Sequence, residues 1–238
     1  MGTKEKSGMK IDKYIGYSGY TSRRKACDLI EDKRVTVNGK IATFSTHASD
    51  SDVVMINGEL LRARPFIQTF IAYHKPRGII CTTEKIPGNI IDAINHAQKI
   101  YPVGRLDKES EGLILLTNKG EWIDRIANPA NRHEKEYIVT LNLPVRKQFL
   151  REISEGMTIQ GEKTLPCQAW PEPGTKRIFR VVLTQGLNRQ IRRMCTACGY
   201  QVIRLQRVRV MNIHLGKLKP GEWRDLTDEE ISQITEIR

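Results

Sequence analysis

Asp107 stands two residues after Arg105 in Gly104-Arg105-Leu106-Asp107, and Ser110-Glu111-Gly112-Leu113 and Thr117-Asn118-Lys119-Gly120 follow closely. This sets one carboxylate ahead of an apolar run, Leu113-Ile114-Leu115-Leu116, which reads as a buried strand because it is too short for a helix and ends on a turn signal. An acid at the edge of such a strand faces a cleft more often than a core. In a basic chain, it is a candidate for chemistry on an anion. A second group lies in Gln185 to Met194, which carries Arg189, Arg192 and Arg193. Read as a helix capped by Asn188, it turns Ile191, Met194 and Cys195 inward at i, i+3, i+4 spacing. Arg189 and Arg193 then share a face suited to phosphates, and Arg192 stands at the edge of the buried stripe. A partly buried guanidinium needs a carboxylate partner, and Asp107 is the natural candidate.

The bulk of the chain agrees with an anionic partner. It has 238 residues, with 39 Lys and Arg against 27 Asp and Glu, a formal charge of +12. From Pro173 through Gly221 there is no Asp or Glu, while eleven Lys and Arg residues fall there. A one-sign field of that length concentrates polyanions and makes their binding salt-dependent. No apolar run approaches the length of a transmembrane helix, and Met1 to Met9 lacks the apolar core of a signal peptide. The expectation is a cytoplasmic protein that does not engage a membrane. The five cysteines, Cys27, Cys81, Cys167, Cys195 and Cys198, suggest no disulfide framework. Cys195-x-x-Cys198 lacks a second ligand pair for zinc and falls late in a helix, so it reads as core lining.

Two parts must position these residues. Residues 1–61 form a compact unit, 62–67 a polar linker with Pro65, and 68–238 a larger domain. In the first, helices are predicted over 10–17 and over 23–32, the latter capped by Ser22, followed by a hairpin turning at Asn38-Gly39 and a strand over 52–56. The second helix opens on Arg23-Arg24-Lys25, cations that oppose the helix dipole and are better explained as a grip on phosphate. In the larger domain, strands are predicted over 66–73, 101–103, 112–117, 135–141, 177–184 and 200–210, with a basic turn at 74–78. Helices are predicted over 89–96, 121–126, 146–155 and 188–198, and Thr227-x-x-Glu230 is a capping box for a last one. Without regular βαβ alternation, the fold class is α+β: a small N-terminal unit and a domain built on a large mixed, mostly antiparallel sheet flanked by helices. His133 beside Glu134 reads as a structural hydrogen-bonder.

Lys13-Tyr14-Ile15, Ser22-Arg23-Arg24-Lys25-Ala26, Leu29-Ile30, Val35-Thr36-Val37-Asn38-Gly39 and Asp52-Val53-Val54 resemble the S4-like RNA-binding domain. Gly104-Arg105-Leu106-Asp107-x-x-Ser110-x-Gly112-Leu113, His133-Glu134-Lys135-Glu136-Tyr137 and Asn188-Arg189-Gln190-Ile191-Arg192-Arg193-Met194 resemble the motifs of the pseudouridine synthases that carry an N-terminal S4-like domain. These are the ribosomal pseudouridine synthases of types A, B, E and F. Asn188 to Cys195 and Gly221 to Asp228 are most similar to the F type, which is named for the large ribosomal subunit. The resemblance implies that a uridine in RNA is flipped out and converted to pseudouridine. Nothing is added or lost, so no metal or other cofactor is implied. It implies Asp107 as the catalytic acid, acting on the ribose as nucleophile or as base. Arg105 would fill the space left by the flipped base, Tyr137 would stack on the uracil, and Arg192 would pair with Asp107. Arg23, Arg24, Lys25, Arg189 and Arg193 would bind RNA. The expected substrate is a hairpin-loop uridine of 23S ribosomal RNA, acted on by a monomer. A tRNA anticodon-loop or small-subunit uridine is the alternative. A non-catalytic RNA-binding assembly protein and a glycosidic-bond hydrolase are the readings from other classes.

Overall fold

The computed structural model describes residues 8–62 and 67–236, in two compact units that meet in sequence at Ile67 and Gln68. Linker residues 63–66 lie outside the described residues. The first unit begins with β1 (Met9–Lys10), α1 (Ile11–Tyr17) and α2 (Arg23–Glu31). Ser22 caps α2 by accepting from the Lys25 amide at 3.3 Å. Next come β2 (Val35–Val37), β3 (Lys40–Ile41), β4 (His47–Ala48), β5 (Val54–Ile56) and β6 (Glu59–Leu60), of which four form a sheet in the order β3-β2-β5-β6. Asn38 and Gly39, both at positive φ, make the predicted hairpin turn. The unit has its own core, with Ile11, Ile15, Ala26, Ile30, Val35, Val54 and Ile56 buried together.

The second unit contains β7 (Phe70–Lys75), α3 (Ile90–Ile94), β8 (Tyr101–Val103), β9 (Glu111–Thr117), α4 (Gly120–Ala127) and β10 (Lys135–Leu141). After α5 (Lys147–Glu155) follow β11 (Thr158–Ile159), β12 (Glu162–Lys163), β13 (Gln168–Pro171) and β14 (Ile178–Leu183). The chain ends with α6 (Gln190–Ala197), β15 (Val202–Val210), β16 (Ile213–His214), β17 (Trp223–Asp225) and α7 (Asp228–Glu236). Seven strands form one sheet in the order β13-β14-β10-β15-β9-β7-β17, with β8 and β16 attached at its side. Every pairing in it is antiparallel except β15 with β9. The architecture is therefore α+β on a large, mostly antiparallel sheet.

That parallel pair is the seam of the domain. Strand β9 is buried along its whole length, which explains its unbroken apolar run. Phe70, Leu113, Leu115, Trp122, Ile126 and Ile234 pack on one face of β7 and β9, and Ile71, Tyr73, Ile90, Leu106, Ile114 and Leu116 on the other. On the far side of the seam, β10, β14 and β15 pack against α5 and α6 through Val139, Phe149, Phe179, Ile191, Met194 and Leu205. At the seam, Gly112 (φ +105°) pairs with Arg207, and a Cβ there would lie 2.2 Å from the Arg207 carbonyl oxygen. Only glycine allows this approach.

Several boundaries shift for physical reasons. The strand predicted over 66–73 occupies Phe70–Lys75, because His74 and Lys75 stay in register with Leu113 and Gly112. The basic turn therefore starts at Pro76. Helix α3 is shorter than predicted: Asn89 caps its start by accepting from the Asp92 amide, and Asn95 closes it in the left-handed region. Helix α6 starts at Gln190, because Arg189 takes φ +51°. Asn188 does not cap it; its Oδ1 accepts from Arg193 Nη2 at 2.8 Å. The capping box is present as predicted: Glu230 N donates to Thr227 Oγ1 and Thr227 N to Glu230 Oε2.

Candidate active site

The chain from Gly104 to Ser110 links β8 to β9 and carries Asp107. Gly104 turns it at φ +74°, and the Ser110 amide donates to the Asp107 carbonyl at 3.1 Å. Buried Leu106 roots the loop among Ile71, Tyr73 and Ile114, and its amide donates to Cys81 Sγ. Asp107 is thereby held at a cavity of about 480 Å³, with 31% of its side chain exposed. Arg105, Lys135, Tyr137, Arg189 and Arg207 line the same cavity, with Leu106, Leu183 and Leu205 as apolar wall. A small number of polar groups converging on an apolar-walled cleft is the usual form of a ligand site.

Tyr137 is half-buried and packs against the apolar groups on both sides of the seam. Lys135 lies two residues before it on the same strand, and both reach the cavity. The Lys135 ammonium donates to the His133 carbonyl at 2.9 Å. Burial, then the nearby Arg207, pushes its pKa down to about 8. Arg207 is buried and donates from Nε to the Leu113 carbonyl at 2.7 Å. Behind the loop, Lys75 is fully buried, donates to the Pro76 and Ile79 carbonyls at 2.9 and 2.8 Å, and has its pKa lowered by burial.

Arg189 makes the contact with Asp107, with Nη1 at 4.0 Å from Oδ2 and at 2.8 Å from Glu109 Oε2, and the charge of Asp107 also acts on Arg192. The sequence pointed to Arg192 for this role. With α6 starting after Arg189, Arg192 instead donates to the Val202 carbonyl at 3.3 Å and to the Glu109 carbonyl and Ser110 Oγ at 3.4 Å each. Its Nε is buried with no acceptor. Arg193 is half-buried and held by Asn188, outside the cavity. Lys135, Arg207 and Lys75 are not singled out by the sequence: Arg207 sits inside β15, Lys135 opens β10, and Lys75 closes β7 where the sequence reads as a turn; the i, i+2 spacing of Lys135 and Tyr137 is the available signal.

Cys195 is buried among apolar residues, its thiol pushed up to about 12 by burial, and Cys198 lies half-buried beside it at about 11. His133 is also buried; its ring meets the Arg125 carbonyl at 3.1 Å, and burial lowers its pKa. Among the described residues, no three His, Cys, Asp or Glu side chains group to hold a metal, and no helix is long and apolar enough to cross a membrane. In the first unit, Arg23 donates to Asp12 Oδ2 through Nε at 3.0 Å and Nη2 at 2.7 Å, joining α2 to α1, yet 61% of its side chain stays exposed. Arg24 and Lys25 are exposed on the same helix.

Known proteins align with both units. The family described as RNA pseudouridylate synthase matches residues 69–197, and the S4 domain matches residues 9–54. The dual-specificity RNA pseudouridine synthase RluF of Escherichia coli K12 is 45% identical over 97% of this chain and 80% of that protein. The ribosomal large subunit pseudouridine synthase B of Bacillus subtilis is 34% identical over 94% of this chain and 95% of that protein. A crystal structure of a pseudouridylate synthase superposes with a TM-score of 0.67 at 30% identity, covering 95% of this chain and 99% of the other.

Proposed function

This chain belongs to the RNA pseudouridylate synthase family and is an RNA pseudouridine synthase, and from that premise we propose that it converts a hairpin-loop uridine of 23S ribosomal RNA to pseudouridine with Asp107 as the catalytic carboxylate. Family membership sets aside the non-catalytic reading. The observation that carries the proposal is the sharing of one cleft by Asp107, Tyr137 and Arg105.

The reaction breaks the bond from uracil N1 to C1′ of the ribose and joins C5 to C1′. The proton leaving C5 is balanced by one gained at N1. A stacked base is out of reach, so the nucleotide must flip into the cleft. Asp107 then serves the ribose as nucleophile or as base, and in either role it must be held against the sugar. Arg189 beside Asp107 supports that role. Tyr137 offers an aromatic face to the flipped uracil, and exposed Arg105 at the cleft mouth fills the space the base leaves. Arg192 acts on the substrate from α6 alongside Arg189 and Arg193. Arg23, Arg24 and Lys25 grip phosphate from the S4 unit. Residues 1–61 are the RNA-gripping domain, 62–67 the linker and 68–238 the catalytic domain. The protein works as a monomer in the cytoplasm.

The large-subunit target is supported by the name of the Bacillus subtilis relative. The dual specificity in the name of the Escherichia coli relative favours a second RNA, for which a tRNA anticodon-loop uridine is our reading. Pseudouridine mapping of total RNA, by carbodiimide treatment and reverse transcription with and without the gene, tests both. Loss of one stop in 23S RNA is expected. Loss confined to small-subunit RNA, or no loss in any RNA, would reject the assignment.

A further inference from the structure

We propose that Cys81 is a positioning residue for the reaction: its sulfur fixes the backbone beside Asp107 and so aims the carboxylate. This deepens the catalytic reading of Asp107 and rests on it. The Asp107 side chain is loosely held, since its ion pair with Arg189 is long, at 4.0 Å. Its direction is therefore set by the backbone from Leu106 to Lys108, and one segment ties that backbone down on both sides of Asp107. The Leu106 amide donates to Cys81 Sγ at 3.4 Å, and the Gly78 amide donates to the Lys108 carbonyl at 2.8 Å.

The segment that carries Cys81 is itself firmly anchored. At its start, the Lys75 ammonium donates to the carbonyls of Pro76 and Ile79. Further on, Ile80 donates to the Gly88 carbonyl and accepts from the Ile90 amide, at 2.9 Å each. Cys81 is buried with Ile71, Tyr73, Ile90, Ile94 and Leu106. Burial raises its pKa, opposed by the Leu106 amide. The group is thus a neutral thiol at neutral pH, a poor nucleophile but a usable acceptor. Without the sulfur, the Leu106 amide would be buried with no partner, and the loop would have to move to find one. A misplacement of about 1 Å at a reacting group costs about a hundredfold in rate. Cys81 lines the Asp107 cleft, yet the role assigned to it is exerted through the loop.

Substitutions in the full-length protein separate the sulfur's hydrogen bond from its volume. Cys81→Ser keeps an acceptor, Cys81→Val fills the space without one, and Cys81→Ala removes both. The rate is read as single-turnover tritium release from a 23S RNA transcript labelled at uracil C5, with Kd measured on the same samples. Cys81→Val and Cys81→Ala are expected to slow release by about tenfold or more while Kd stays within about twofold, and Cys81→Ser to recover most of the rate. Amide exchange at Leu106, followed by NMR, should quicken in Cys81→Val and Cys81→Ala and stay near wild type in Cys81→Ser. A wild-type rate in Cys81→Val, a loss of affinity as large as the loss of rate, or unchanged exchange would overturn the proposal. Asp107→Asn is run alongside. If it still converts uridine, the catalytic reading fails and the positioning role falls with it; if it is inactive while Cys81→Val runs at full speed, only the positioning role fails.

Discussion

Two basic regions of the catalytic unit draw on the same acid-free stretch, Pro173 to Gly221, and use their charge in opposite ways. On one face of the sheet, every prominent arginine is neutralised. Arg180 of β14 meets Glu136 of β10 at 2.8 Å and also pairs with Glu172; Arg209 of β15 meets Glu134 and Glu136 at 2.9 and 3.1 Å; Arg204 pairs with Glu111. Around the seam, Arg189, Arg192 and Arg207 of that run gather with Lys75 and Lys135 from outside it, and Asp107 and Glu109 make the ion pairs there. A run of cations in sequence is therefore not a patch in space. Cross-strand pairing brings carboxylates from outside the run onto the first region and leaves the second in excess, where a polyanion can supply what is missing.

Each region can be disturbed separately, but one position should disturb both. Gly112→Ala would force the β9–β15 seam apart against the Arg207 backbone, in a left-handed conformation that alanine disfavours. A loss of about 4 kcal/mol or more in chemical denaturation is expected, because neither backbone has room to yield. Glu136→Gln should act on the neutralised region alone. Two arginines lose their shared carboxylate, for a cost of about 3 kcal/mol by the same measurement, and the salt slope of RNA binding should stay as it was. Arg189→Gln is the converse: denaturation midpoints should barely move, while RNA affinity falls several-fold and its salt slope drops by about one. If Glu136→Gln flattened the slope, or Arg189→Gln left it intact, the division between the regions would fail.

The smallest effect concerns the uncompensated region and pH. Lys135 releases its proton near pH 8 when folded but near its ordinary value of 10.5 when unfolded. Above about pH 8 the unfolded chain then binds more protons than the folded one, and this residue's contribution to stability rises with pH. Buried Cys195 and half-buried Cys167 and Cys198, all with raised pKa values, oppose that trend above their ordinary value of 9.0. The rise should therefore be clearest between pH 8 and pH 9, and Lys135→Met should flatten it in denaturant titrations at the two pH values.

What the sequence made legible follows from how local each signal was. Asp107, Arg105 and Tyr137 sit in short motifs next to strand edges, and the fold brings them to one cleft. The S4-like unit was readable because its caps and hairpin turn are local. The partner of Asp107 was not legible, because it depends on Arg189 taking φ +51° and delaying α6. Helical spacing alone could not anticipate that turn. Lys75 and His74 looked like a polar turn, yet the ladder to β9 buries both, with backbone carbonyls meeting the Lys75 ammonium and His74 Nδ1 while His74 Nε2 has no partner. The pairing of Arg180 and Arg209 with Glu136 joins residues 44 and 73 apart, and only sheet order reveals it.

The central claim is that Asp107 performs the chemistry on a uridine held in the cleft. The direct measurement is single-turnover conversion of an RNA carrying the mapped uridine, by wild type and by Asp107→Asn, with Kd measured on the same samples. The account predicts that the variant binds within about threefold of wild type and forms pseudouridine at least about a thousandfold more slowly. Conversion by Asp107→Asn at a rate near wild type would contradict it.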